Sequence, residues 1–376
     1  MNLDSGDLKQ FRESLLNWFE AYRRDLPWRK NCDPYRIWIS EIMLQQTRVA
    51  AVIPYYQRFL ERFPNAKALA AAPQEEVLRL WSGLGYYQRA RNLQRAAQQI
   101  VMTHGGVFPR THQEILALAG IGEYTAAAIL SIAFGDTNAV LDGNVARVIS
   151  RLEAMRGDLG QAKLRRLLQE SADRMLAQES PGSWNQAMME LGATVCTPRS
   201  PRCLQCPVAQ FCEGRKQGIA ESLPEKRTKR PTVSVQLVSV VLLDGKNNSL
   251  LLPPPKTLTK NKSDDHVPSL VAKLWHFPTF SASAKSPNAL QQFLRSDLRL
   301  KSAGPIGTER LDRVRHTVTY RVISVGAYLV RLKRLPRLAG ARHMPLDEVS
   351  SLAISNLTRK ITGTAMKYLS QRKPQR

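Results

Sequence analysis

Residues 116–126 read LALAGIGEYTA, and this stretch decides the fold. Apolar residues at helical spacing run into Gly120-Ile121-Gly122. A second helix opens at once with Glu123 and continues through the alanine-rich segment that ends at Phe134. Glycines tolerate the positive φ of a tight connection, so two of them around one apolar residue predict a hairpin between helices, with Ile121 pinning it to the core. The second helix then offers the unpaired amide N–H groups of its first turn at a glycine turn, where a phosphate can come close. A Gly-x-Gly alone suits an ordinary helical turn better. With its flanks it reads as a helix–hairpin–helix, with Gly120 and Gly122 as phosphate contacts.

Outward from the hairpin, residues 8–195 read as helix after helix. Leu8, Phe11, Leu15, Trp18, Phe19 and Tyr22 keep helical spacing, as do Val49, Val52, Ile53, Tyr56 and Phe59. Punctuation is expected at Pro34, Pro54, Pro64 and Pro73 and at Gly83 with Gly85. The first half is therefore expected to be all-α. Residues 213–231 are charged, poor in apolar residues and end in proline, which is linker composition. β-rich runs follow at 233–243, 249–252 and 317–330, with a helix expected at 287–296 and a polar loop at 256–265. The expected division is an all-α domain over 1–212, a linker over 213–231 and an α+β domain over 232–376.

The chain has 376 residues, 43% of them hydrophobic, enough for two domains with their own cores. Its formal net charge of +24 points to a polyanionic partner, because each neutralised phosphate releases counterions. No stretch has the apolar length of a membrane span, and the N-terminus carries no apolar signal core. The expectation is a cytoplasmic, nucleoid-associated protein with no membrane partner. Of five cysteines, four fall in one loop with the spacing Cys196-x6-Cys203-x2-Cys206-x5-Cys212. Zinc ribbons usually use two C-x-x-C pairs, and only one is present. Soft thiolates in one short loop suit a single [4Fe–4S] cluster, with zinc or free thiols as alternatives. Pro198, Pro201 and Pro207 stiffen the loop, Arg199 and Arg202 stand on it within reach of phosphates, and Cys32 is read as a bystander.

Two carboxylates stand out. Glu41 lies within Ile37-Trp38-Ile39-Ser40-Glu41-Ile42-Met43-Leu44. Burial among such neighbours raises a carboxyl pKa and lets it serve as a general acid near neutrality; a wet face of an amphipathic helix is the alternative. Asp142 precedes the helix beginning at Gly143-Asn144, where a helix N-terminus favours the ionised form. It is also, taken singly, an ordinary N-cap. Two acids whose surroundings push their pKa values apart suit cleavage of a glycosidic bond.

Longer motifs accompany these residues: LPWR at 26–29, SEIMLQQTRV at 40–49, WSGLGYYQRARNL at 81–93, LDGNVARV at 141–148 and NQAMMELGA at 185–193. With the hairpin and the cysteine loop they resemble the MutY branch of the endonuclease III superfamily, from about residue 26 to 212. The resemblance implies two helical lobes with a base pocket between them. It implies that Glu41 protonates N7 of a flipped adenine, that Asp142 stabilises the oxocarbenium-like sugar, that Asn144 positions the sugar or the attacking water, and that Tyr124 adjoins the acid. Trp28, Arg29 and Gln186 match pocket positions, and Gln46 and Tyr86 match residues that wedge into the base stack. Flipping a base costs a few kcal/mol of unstacking, so a tyrosine and a glutamine filling the gap make physical sense. A core aromatic is the alternative for Tyr86. Arg48, Arg89 and Arg91 are read as grips on the bent backbone. Relatives that cut the strand carry lysine at position 124. A tyrosine cannot form a Schiff base, which implies a monofunctional glycosylase on double-stranded DNA containing a mispaired adenine, acting as a single chain.

The C-terminal region resembles the Nudix-like domain with which that family senses 8-oxoguanine. KLWHFP at 273–278 looks like its LWEFP stretch, and no acidic Nudix box is present. Where the family's sensing loop usually reads Phe-Ser-His, this chain has Val318-Thr319-Tyr320, so Thr319 keeps a hydroxyl and the other two are replaced. Rival readings are a thymine or uracil mismatch glycosylase of the same superfamily and a non-catalytic iron–sulfur DNA binder.

Overall fold

Helix follows helix through the first two hundred residues of the computed structural model. They are α1 (Ser5–Tyr22), α2 (Pro34–Leu44), α3 (Val49–Arg62), α4 (Ala66–Ala71), α5 (Gln74–Leu80), α6 (Gln88–His104), α7 (His112–Leu116), α8 (Glu123–Phe134), α9 (Gly143–Leu152), α10 (Ala162–Met175) and α11 (Pro181–Thr194), with a short α12 (Glu213–Lys216) after the cysteine loop. The structure describes residues 5–225, 231–254, 274–281, 288–302 and 304–371. By its internal contacts the chain divides into two units, Met1–Ala72 with Gln88–Lys229 and Pro73–Tyr87 with Arg230–Arg376. The excursion of Pro73–Tyr87, including α5, into the second unit has no counterpart in the sequence reading.

The helical starts follow local chemistry. Asp33 caps α2 by accepting from the Arg36 amide, with Pro34 at the first position. Thr111 and Glu114 form a reciprocal capping box on α7. Pro54 does not punctuate: it sits inside α3, which runs on to Arg62. At the hairpin, Gly120 takes φ 81° and packs so closely on α6 that a Cβ would stand 2.7 Å from the Asn92 side chain. Ile121 is buried, and Gly122 caps α8 without any side-chain bond to the first turn.

The first unit's core joins Phe11, Leu15 and Phe19 of α1 to Val145, Val148 and Ile149 of α9 and to Trp184, Met188 and Leu191 of α11. The reading of 213–231 as a linker is corrected for 213–225. Gly214 lies against the Arg151 backbone, Ala220 and Leu223 are buried, and the Leu223 carbonyl accepts from Arg151 Nε at 2.9 Å. Three small or apolar residues dock a segment whose charge otherwise suggests free chain.

The second unit is α+β. Its strands are β1 (Val233–Leu243), β2 (Asn248–Leu251), β3 (Thr279–Ser281), β4 (Glu309–Arg310), β5 (Val314–Val318), β6 (Arg321–Arg331) and β7 (Arg342–Pro345). They form a mixed sheet of order β4-β6-β1-β2-β7, with β3 on β1 and β5 on β6. β1 and β6 run parallel from Val233↔Arg321 to Leu243↔Arg331. The single run expected at 317–330 is instead a hairpin, β5 turning into β6 at Thr319-Tyr320 with Val318 opposite Arg321. The turn was illegible because neither residue is the glycine or asparagine that usually marks one; Thr319 takes φ 54° in its place. The helix expected at 287–296 is α13 (Ala289–Ser296), and α14 (Asn356–Gln371), which the sequence reading lacked, closes the unit. The polar loop expected at 256–265 lies outside the described residues.

Candidate active site

One cavity of about 790 Å³ opens among the helices of the first unit, within the range of pockets that take small molecules. Glu41, Tyr124, Asp142, Asn144, Trp28, Arg29, Gln46 and Gln186 all line it. Its walls come from α2, the start of α8, the start of α9, α11 and the short turn Pro27–Arg29.

Glu41 is 5% exposed on a helix buried over most of its length. Tyr124, in the first turn after the glycine hairpin, donates its hydroxyl to Glu41 Oε2. Burial pushes the Glu41 carboxyl up to about 7, with Asp142 adding to the rise and the Tyr124 bond and Arg29 opposing it. Asp142 caps α9 and accepts from the Val145 amide at 2.7 Å and from Asn144 Nδ2 at 2.9 Å. The sequence reading expected its helix position to favour the ionised form. Burial instead raises the Asp142 pKa, against the pull of these hydrogen bonds and of Arg147. The two acids still differ: Asp142 accepts from a helix-start amide and a carboxamide, whereas Glu41 accepts from a tyrosine hydroxyl.

The segment leading to Asp142 is stitched to α11 by Asn185, which donates to Asn138 O at 2.7 Å and Ser131 Oγ at 2.8 Å and accepts from the Val140 amide at 3.1 Å. Arg147 ties Asn144 Oδ1, Gly192 O and Cys196 O together at 2.8–2.9 Å. Glu190 and Arg24, which also line the cavity, escaped the sequence reading. Glu190 is buried and accepts from Arg24 at 2.6 and 2.8 Å and from Arg29 at 2.9 Å. Burial would raise its carboxyl, but the two arginines overcome that and hold it below the ordinary value. The available signal was helical: Glu190 stands four residues after Gln186 on α11, and so on the same face. Gln186 itself donates to Gly182 O at 3.3 Å within its helix.

The remaining candidates lie outside this wall. Arg48 is exposed at the start of α3, Arg91 is half-buried, and Arg199 and Arg202 are exposed on the cysteine loop. Arg89 is corrected. Its guanidinium donates to the carbonyls of Ile42, Met43 and Gln45 at 2.6–3.0 Å and to Thr47 Oγ1 at 3.2 Å, so it clamps the turn that carries Gln46 instead of reaching for phosphate. Tyr86 and Thr319 belong to the second unit. Gln46, Tyr86 and Thr319 share one property: each is a non-glycine residue at positive φ, at 56°, 48° and 54°, a conformation held only where the surroundings over-determine it.

Cys196, Cys203, Cys206 and Cys212 line a second, smaller cavity with Arg151. Arg151 is 2% exposed and donates to Cys196 Sγ at 3.2 Å. Burial, together with the other three cysteines, pushes the Cys206 thiol up to about 12, and burial also raises Cys212. Among the described residues no group of His, Cys, Asp or Glu is set to hold a single metal ion. Four soft donors spread around one wall fit the corners of a cluster.

Residues 39–174 match the HhH-GPD superfamily of base excision DNA repair proteins, and residues 196–212 match the iron–sulfur binding domain of endonuclease III. A mouse protein called adenine DNA glycosylase is 33% identical over 410 residues, covering 95% of this chain and 78% of the mouse one. Its human counterpart is 45% identical over 229 residues, covering 58% of this chain and 42% of the human one, so that match spans less than half of the human relative. A solved thermostable thymine-DNA glycosylase is 31% identical with a TM-score of 0.52, covering 56% of this chain and 97% of that one.

Proposed function

Because the chain belongs to the HhH-GPD superfamily of base excision DNA repair proteins, among the adenine DNA glycosylases, we propose that it is a monofunctional glycosylase that hydrolyses the N-glycosidic bond of adenine mispaired with 8-oxoguanine or guanine in double-stranded DNA. One observation carries this reading: a buried carboxyl poised near neutral pH shares a nucleotide-sized cavity with a second, hydrogen-bonded carboxylate.

In the proposed reaction Glu41 holds a proton, with Tyr124 fixing one of its oxygens, and delivers it to N7 of an extruded adenine. The purine then accepts the electron pair of the glycosidic bond as that bond breaks. Asp142, ionised on its amide and Asn144 donors, faces the positive charge left on the sugar. A water positioned near Asn144 adds its oxygen to the anomeric carbon and passes its proton to the Glu41 carboxylate, which restores the acid. Trp28, Arg29 and Gln186 shape the base pocket, with Glu190 holding Arg29 in place. Position 124 in the cavity is a tyrosine, whose hydroxyl cannot form the Schiff base that leads to strand cleavage. By the family resemblance, Gln46 and Tyr86 are each residues of the kind that wedge into the base stack when a base is flipped. The hairpin backbone at Gly120 and Gly122, where α8 begins, holds phosphates together with Arg48, Arg91, Arg199 and Arg202. The four cysteines hold the [4Fe–4S] cluster, which when bound makes a covalent hub for the loop.

Thr319 stands exposed at the tip of the β5–β6 hairpin. With Val318 and Tyr320 in place of the usual Phe and His, activity on adenine opposite plain guanine is less suppressed relative to 8-oxoguanine. Single-turnover rates on the two duplexes test this, and a strong preference for 8-oxoguanine refutes it.

The alternative of a thymine mismatch glycosylase is favoured by the likeness to the thermostable thymine-DNA glycosylase. Parallel assays on A opposite 8-oxoguanine, A opposite G and T opposite G decide between them. Asp142→Asn is expected to abolish base release while leaving DNA binding. Unchanged release would refute the enzymatic reading.

A further inference from the structure

Gly83, Gly85 and Tyr86 all adopt positive φ, at 116°, 73° and 48°. Such a turn has little shape of its own, because two glycines leave it free and the tyrosine is held where an L side chain is strained. Yet it carries Tyr86 outward, 46% exposed. Something must therefore define it from outside.

The C-terminal part of the second unit, to which the turn itself belongs, does so. Ser82, only 7% exposed, donates to Ile354 O at 2.8 Å and accepts from Arg359 at 3.0 Å. Asn356, first residue of α14, donates to Gly83 O at 3.2 Å. The Tyr87 hydroxyl donates to Ile354 O at 3.1 Å and accepts from the Gly83 amide at 3.4 Å. Trp81 Nε1 closes the turn from within, donating to Gly85 O at 3.1 Å. The other end of the excursion is tied too. Glu75 accepts from Trp275 Nε1 at 3.1 Å and from Arg342 at 2.7 and 3.1 Å, and Arg342 lies over the Trp275 ring at 4.5 Å. Trp275 also pairs with the Ala353–Ile354 strip, its amide donating to Ala353 O at 3.1 Å. One strip of the C-terminal unit thus grips both ends of Pro73–Tyr87.

We propose that Asn356 and Ser82 are positioning residues for base flipping: with Ile354 they latch the Ser82–Tyr87 turn in the shape that presents Tyr86 to the DNA. This rests on the reading of Tyr86 as the residue that fills the gap. The C-terminal unit then contributes to base extrusion as well as to lesion sensing, through a hydrogen-bonded contact far in sequence from the turn it shapes.

The test uses the full-length, cluster-loaded protein and a duplex with 2-aminopurine in place of the target adenine, whose emission rises on unstacking, alongside single-turnover base release. Tyr86→Ala is expected to lower the emission rise and slow release about tenfold, the effect on the order of losing one stacked ring. Ser82→Ala and Asn356→Ala are each expected to lose about threefold, and neither is expected to cost anything further when added to Tyr86→Ala, because both act through it. Asn356→Asp keeps the size, cannot donate to Gly83 O and is expected to behave as Asn356→Ala with unchanged thermal melting. Wild-type flipping in the Ser82 and Asn356 variants beside a defective Tyr86→Ala overturns the latch alone. Full additivity with Tyr86→Ala also overturns it. Wild-type flipping in Tyr86→Ala overturns the underlying reading of Tyr86 itself.

Discussion

Gly192 of α11 lies against Asn144 of α9 so tightly that a Cβ on the glycine would stand 2.7 Å from the Asn144 Cβ and 3.0 Å from its carbonyl oxygen. Asn144 in turn donates to Asp142 and accepts from Arg147. A position with no side chain thus sets the depth at which a candidate catalytic pair sits. The contact belongs to packing and its consequence to chemistry.

Gly192→Ala is therefore expected to push Asn144 away from Asp142. The clash is with the Asn144 Cβ and its carbonyl group, which no side-chain rotation moves aside, so a destabilisation of about 1–3 kcal/mol is expected, together with a loss of base release at least about tenfold beyond the loss of folded protein. Thermal melting and single-turnover rates at a temperature where the variant is folded separate the two. A wild-type rate in the folded variant would show that the contact is only structural.

As the proposed general acid, Glu41 must carry its proton, so base release at saturating enzyme is expected to fall as pH rises through about 7. The Tyr124 hydroxyl lowers that value by bonding the ionised form. Tyr124→Phe removes a lowering influence and is expected to move the alkaline limb to higher pH. A limb that moves down or stays put counts against the assignment of the limb to Glu41.

The same group makes a stability prediction with a definite sign. Its folded pKa of about 7 stands above the ordinary 4.5, so the unfolded chain releases this proton first as pH rises. Stability is lost between those two values, and above about pH 7 the whole penalty is present, about 3 kcal/mol. Glu41→Gln is expected to melt higher than the wild type at pH 8, to lose that advantage near pH 4.5, and to release no base. Equal melting at both pH values would mean the carboxyl is not buried in solution.

Removing a cluster ligand should be felt in the core. Cys196, Cys206 and Cys212 pack against the residues around Phe11, Trp184 and Phe211. Cys206→Ser is expected to lose the visible iron–sulfur absorption and most bound iron, and to lower the melting temperature by several degrees, given about 2–4 °C per kcal/mol at this size. Iron loss without a fall in melting would assign the cluster a role other than holding the loop.

Thr319 holds φ 54° at the hairpin tip, where a β-branched residue is strained by about 1–2 kcal/mol. Thr319→Gly is expected to stabilise the protein by about 1 kcal/mol and to narrow further the difference in rate between adenine opposite 8-oxoguanine and opposite guanine. A stabilised variant with unchanged rates on both duplexes would detach the hydroxyl from lesion sensing.

The sequence by itself determined the elements whose cause is local. Gly120-Ile121-Gly122 must turn because glycine admits its backbone angles, the long apolar spacings must be helices, and four cysteines within seventeen residues are confined to one loop. It also brought forward Glu41, Asp142, Asn144 and Tyr124, because their motifs are compact. The tertiary structure alone decided what depends on partners far away in the chain. It gave Arg89 to the carbonyls of Ile42, Met43 and Gln45, buried Glu190 under two arginines, raised Asp142 where its cap position suggested the opposite, and tied the turn before Tyr86 to Asn356. A side chain's propensity is written in its own neighbourhood, but burial and the identity of its hydrogen-bond partner are set only when distant segments close around it.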